Sequence, residues 1–257
     1  MINKAAVVAT AFVFLSSLGP GARAGGILDE EREQKYSVGA NPSLTVRNTD
    51  GRVLVYGSEA GQITVKIYKR AFTKDRLGKI EANISVDGDA MTIDTNYPPP
   101  AKGLFADRSG TVEYTLLVPQ NCAVNVEQSQ GEILLEDLRG PSVEARLTNG
   151  RIGVQSCFSP ARVKLGSGGI DVAFSWWEQT PFAMSFEVDK GDVALLLPPP
   201  AALRLDAATQ NGHVRNNLVA DSQDEDVQQM NTMIGHPTGA EFKIRTAEGN
   251  IKIGKAY

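Results

Sequence analysis

VEARLTNGRIGV, residues Val143 to Val154, places apolar side chains seven, five and three positions before Gly150 (Val143, Ala145, Leu147) and two and four positions after it (Ile152, Val154). Alternation with period two marks each half as a strand with one buried face, and the glycine supplies backbone angles that other residues avoid. The same template recurs along the chain. It fits Gly51 (Leu44, Val46, Val53, Val55), Gly131 (Val124, Val126, Ile133, Leu135), Gly168 (Ala161, Val163, Leu165, Ile170, Val172), Gly191 (Met184, Phe186, Val188, Val193, Leu195), Gly212 (Leu205, Ala207, Val214) and Gly249 (Phe242, Ile244, Ile251, Ile253).

The central glycines stand 19, 18, 23 and 21 residues apart. A period near 20, of which about ten residues are strand, suits one coil of a β-solenoid whose repeats stack and share a core. Antiparallel hairpins in a sandwich fit equally well. With Asn149-Gly150 as a two-residue turn, Leu147 would face Ile152 and Ala145 would face Val154. Periodicity does not separate these all-β architectures. If the coils are parallel, Val124, Val143, Ala161 and Met184 form one buried stack, and Ile133, Ile152, Ile170 and Val193 another, with steps of about 4.8 Å. The hand of such a solenoid is not encoded in the pattern, and right-handed is the default.

Two stretches break the template. Residues 70–111 hold a short helix expected at Lys74 to Ala82, strands at Ile84 to Val86 and Met91 to Asp94, and a loop from Tyr97-Pro98-Pro99-Pro100 to Ser109, before a strand resumes at Val112 to Val118. Residues 216–239 hold the acidic run Asp221 to Asp226, read as a solvated loop, and an expected turn of helix at Val227 to Met233. At the other end, Lys4, the apolar stretch Ala5 to Leu18 and Ala22-Arg23-Ala24 form a signal-peptide pattern over residues 1–24. A linker over 25–40 and a repeat domain over 41–257 complete the expected organisation. The apolar stretch is shorter than the roughly 18 to 20 residues that cross a bilayer, so a mature chain exported to the periplasm or cell surface, without a membrane span, is expected. A net charge of −4 supplies no positive field for nucleic acid.

The linked units GEILLEDLRGPSVEARLTNGRIGV (Gly131 to Val154), the closing segment GAEFKIRTAEGNIKIG (Gly239 to Gly254) and the strand ending LLVP (Leu116 to Pro119) resemble the bacterial adhesin-like family, exported β-strand-repeat proteins with a domain of unknown function (4097). The resemblance spans roughly residues 40 to 254. It implies a parallel β-solenoid on an exported protein, which favours coils over hairpins. The family offers no catalytic residues to carry over, and a shared fold does not establish adhesion.

Candidate chemistry is sparse. In a stack, Glu127 lies beside Arg146 and Glu132 beside Arg151, which is a charge ladder and not a catalytic pair. The sharpest catalytic arrangement places Asp192 under His213, with Asp171 one coil back, but no nucleophile accompanies it. His213 and His236 are the only histidines, so no His-rich metal site is expected, and Gly166-Ser167-Gly168-Gly169 is turn chemistry without a phosphate-binding helix. No catalytic, cofactor or metal residue is assigned. The most distinctive feature is Phe174-Ser175-Trp176-Trp177, followed by Phe182, where the spacing lengthens from 18 to 23. Trp176 and Trp177 are candidate contacts for a protein or glycan, set against a role as caps of a widened corner. Tyr97 and its prolines offer a weaker second surface.

The expectation is therefore a non-catalytic binding or scaffold module with an envelope protein or glycan as partner. An envelope-polysaccharide enzyme would require paired carboxylates in a groove, and a sensor domain is the third reading. Cys122 and Cys157, the only cysteines, open coils two steps apart with Leu138 between them. That spacing exceeds the roughly 7 Å a disulfide spans, so two separate thiols are expected, Cys157 the more buried.

Overall fold

The computed structural model describes residues 27–99, 109–218 and 227–256; the expected signal peptide, the loop from Pro100 to 108 and the acidic run at 221–226 lie outside the described residues. In chain order the elements are β1 (Leu28–Ser37), β2 (Ser43–Ser58), β3 (Gln62–Ala71), the helical turn α1 (Lys74–Gly78), β4 (Glu81–Asp87), β5 (Ala90–Asn96), β6 (Thr111–Pro119), β7 (Ala123–Glu136), β8 (Val143–Gln155), β9 (Ala161–Ala173), β10 (Phe182–Leu197), β11 (Leu203–Asn211), β12 (Val214–Asn216), β13 (Gln229–Ile234), β14 (Ala240–Glu248) and β15 (Ile251–Lys255).

The glycine templates at Gly51, Gly131, Gly150, Gly168 and Gly191 are each one strand bent at its glycine, those at Gly212 and Gly249 are each divided into two strands, β11 with β12 and β14 with β15, and each limb pairs with the equivalent limb of the neighbouring coil. Leu147 is in register with Gln128 and Leu165 on neighbouring parallel strands, so the hairpin alternative, which required Leu147 opposite Ile152, is excluded. The expected stacks are present: Val124, Val143, Ala161 and Met184 are successive register partners, as are Ile133, Ile152, Ile170 and Val193. The fold is all-β and solenoid-like, a mostly parallel open sheet. Within a coil the buried positions are odd-numbered up to Leu147 and even-numbered from Ile152, so the bend at Gly150 changes the parity and returns both limbs to one core.

The bend also forces residue choice. Gly150 has φ 138°, and a Cβ built on it would stand 1.9 Å from the carbonyl oxygen of Gly131. Equivalent contacts run from Gly51 through Gly131, Gly150, Gly168, Gly191 and Gly249 to Gly212. This row of close backbone approaches is why the template tolerates only glycine at its centre.

The row also gives the order of the coils, and that order is not the order of the chain. At the amino-terminal end, β2 lies between β7 on one side and β5 and β6 on the other. At the other end, β14 and β15 lie between β10 and the pair β11 and β12. Antiparallel strands finish both ends: β3 and β1 on β6, β4 on β5, and β13 on β11.

Three local expectations are corrected. The segment read as a linker contains β1, whose Tyr36 and neighbours pair with β3. Helix α1 ends at Gly78, short of Ala82. The turn of helix expected at 227–233 is a bridge at Val227 followed by strand β13, because pairing with β11 overrides a helix-compatible spacing.

Candidate partner-contact site

From Gly168 to Gly191 the chain takes five residues more than in the preceding coil, and the lengthened connection between β9 and β10 makes an aromatic corner. Phe174 is buried and packs edge-on to Trp177 at 5.3 Å. Trp177 is half-buried and also meets Phe182 at 5.8 Å, Phe158 at 6.2 Å and Phe242 at 6.3 Å. It therefore serves the core. Trp176 is 43% exposed and leans on Phe158 at 5.9 Å. The two tryptophans, alike in sequence, have separate roles.

Trp176 is held by a carboxylate of its own connection, which is fixed in turn by polar groups from another coil. Its indole N–H donates to Glu178 Oε1 at 3.3 Å, and Arg139 donates to the same oxygen through Nη2 at 2.7 Å and Nε at 3.1 Å. Arg139 Nη1 donates to Asp137 Oδ1 at 2.7 Å, and Gln120 Nε2 donates to the other Asp137 oxygen at 2.7 Å. The guanidinium also lies over the rings of Phe158, at 5.6 Å, and Trp176, at 6.0 Å. The hydrogen bond to Glu178, ahead of Asp137, pushes the Arg139 pKa upward. The result is an exposed indole whose orientation is fixed by a charged network, a rigid amphipathic surface of the kind that contacts partners. Sequence reasoning missed Gln120, Asp137, Arg139 and Glu178, because they lie in the connections between limbs, where no periodicity reports which residues meet.

The other candidates are accounted for. His213 is not on the coil next to Asp192, because β15 intervenes. Asn250 donates its backbone N–H to Asp192 Oδ1 at 2.7 Å, and its own Oδ1 accepts from the His213 backbone at 3.1 Å. Asp171 pairs with Arg151 at 2.6 Å. The outward row four positions before the glycines is a ladder: Arg47 pairs with Asp94 at 3.0 Å, Arg146 with Glu127 at 3.3 Å, and Lys164 with Glu187 at 2.6 Å. Exposed pairs of this type contribute about 0.2 to 1 kcal/mol each. They edge a shallow groove of about 880 Å³ whose walls include Gln128, Thr148 and Leu165. Tyr97 is tied inward, donating to the Asp50 carbonyl at 2.7 Å and to Asn48 Oδ1 at 3.2 Å, so it is part of the first bend and not a presented surface. Among the described residues no group of three or more His, Cys, Asp or Glu side chains is placed to hold a metal, and no helix is long and apolar enough to cross a membrane. Cys122 and Cys157 are unpaired, both fully buried, and burial pushes each thiol up to about 12.

The fold is similar to a crystal structure of a proposed cell adhesion protein from Clostridium sporogenes, with a TM-score of 0.54 and 15% identity over 89% of this chain and 100% of that one. A proposed adhesin from Bacteroides fragilis aligns at a TM-score of 0.38 and 12% identity, over 90% of this chain and 98% of that one. No curated protein matches. The Toastrack DUF4097 family profile matches residues 30–254, and the chain, with its glycine-anchored parallel coils across that span, belongs to this family.

Proposed function

We propose that the chain is an exported, non-catalytic β-solenoid module of the bacterial envelope, which binds or scaffolds an envelope protein or glycan. The observation that carries the reading is Trp176: a large indole kept 43% exposed and fixed by Glu178 and Arg139 while its neighbour Trp177 packs into the core. A half-exposed, oriented aromatic side chain is typical of contact surfaces, where it adds area at little entropic cost. The charged rows support the same reading, since their carboxylates pair with arginines and lysines and are not grouped as an acid and a base. The signal-peptide pattern supports export, and the cell-adhesion description of the Clostridium sporogenes structure agrees with a binding role.

The test compares the mature protein with Trp176→Ala for binding to peptidoglycan sacculi and to detergent-solubilised envelope proteins of the native host. Binding should fall about tenfold or more, with the urea unfolding midpoint nearly unchanged. Equal binding by the variant would remove this surface from the function, and binding to neither preparation would remove the envelope role.

A further inference from the structure

The two ends of the sheet are finished differently. The outermost strand at one end, β1, reads LDEEREQKYS and carries six charged side chains, Asp29, Glu30, Glu31, Arg32, Glu33 and Lys35. Charges of that density guard an open edge against pairing with another chain. At the other end β13 reads QMNTMI, with no charge, no proline and no glycine. Its register pairs it with β11 alone among the described strands, and Met233 is 66% exposed. A short, uncharged strand whose outer edge is unpaired among the described strands is a template for strand addition.

The backbone fixes which groups are free. The Thr209 N–H donates to the Gln228 carbonyl at 2.9 Å, and Ala207 is in register with Met230, Leu205 with Thr232 and Leu203 with Ile234. In an antiparallel ladder the hydrogen-bonded pairs alternate, so the even-numbered residues of β13 bond inward to β11. The N–H and C=O groups of Gln229, Asn231 and Met233 therefore point to the open edge. Three equally spaced residues are self-complementary about the middle one.

We propose that β13 pairs antiparallel with β13 of a second copy of this chain, about a two-fold axis at Asn231. Gln229 then lies opposite Met233 of the other copy, Asn231 opposite itself, and Met230 opposite Thr232. Each copy contributes three donors and three acceptors, all of its outward groups, and no like charges meet. Isologous pairing closes on itself, so the assembly stops at two. Six residues make a small interface, below the roughly 1,000 Å² of stable complexes, so the dimer is reversible and concentration-dependent.

Sedimentation of the mature protein from about 1 μM to about 1 mM should show the mass doubling. Asn231→Pro removes an outward N–H and none of the inward bonds, so it should keep the monomer's unfolding midpoint and abolish the dimer. Met233→Lys, which leaves the backbone untouched, should do the same and covers the case in which the proline variant folds poorly. Asn231→Cys should form an intermolecular disulfide on mild oxidation, the Cα atoms across such a pair being about 5.5 Å apart. A mass that never leaves the monomer overturns the proposal, and so does a dimer that survives both Asn231→Pro and Met233→Lys.

Discussion

A methyl group at Gly150 would stand 1.9 Å from the Gly131 carbonyl oxygen, and the residue's φ of 138° is one that a side chain resists in any case. The obstacle is backbone, which does not move aside as a flexible side chain would. Gly150→Ala should therefore cost at least about 3 kcal/mol, combining backbone strain with displacement of the neighbouring coil. Urea unfolding checks this. As a control, Gly153→Ala lies in the same coil without a positive φ and would meet only the flexible end of Leu134 at 2.9 Å, so it should cost much less. Equal losses would mean that the close approach at the bend is not what selects glycine. The same reasoning separates the two tryptophans: Trp177 lies among four aromatic rings, and its removal should unfold what removal of Trp176 leaves standing.

Position three before the glycine shows how one strand differs from the next. It is Leu147, Leu165 and Val188 in the middle coils, but Asn48, Gln128, Thr209 and Thr246 towards the ends, all of them buried. The polar members reach the carbonyls at the neighbouring bend: Gln128 Nε2 donates to Gly51 O at 2.9 Å, Thr246 Oγ1 to Gly191 O at 3.1 Å and Thr209 Oγ1 to Gly249 O at 2.8 Å. Thr246→Val keeps the shape and removes the donor, so it should cost about 1 kcal/mol, readable as a shift of the unfolding midpoint at unchanged m-value. These elements mark what could be read in advance. Every bent strand was legible, since alternation and a glycine act within a dozen residues. The placement of β14 and β15 was not, because sequence order suggested that Asp192 and His213 were neighbours, and only the register reveals Asn250 between them. Strand β1 has no apolar alternation and depends on β3 for its form. Of the contact corner, Trp176 stood out as an aromatic in a lengthened connection, whereas Arg139 and Glu178 meet only through folding.

Across the whole molecule, one coil holds its neighbours apart and together. Strands β14 and β15 fill the space between β10 and β11 with β12, and Phe242, Ile244, Ile251 and Ile253 complete the core there. A chain cut after Gly239 would leave two parallel edges facing an empty slot, with Phe186 and Leu205 uncovered between them. Such a chain should lose cooperative unfolding, and its amides in β10 and β11 should exchange with solvent far faster than in the parent; retention of both slow exchange and a single transition would show that the slot closes by itself. The inserted coil is also the last of all these strands to be synthesised. Coils β7 to β10 can assemble in the order they emerge, but β11 and β12, though β11 can already pair with β13, have no link to the rest of the stack until β14 and β15 have arrived. Closure of the solenoid thus waits for strands made after those they join: until β14 and β15 have emerged, a chain in transit holds an open seam that proteases can recognise, and their arrival seals it.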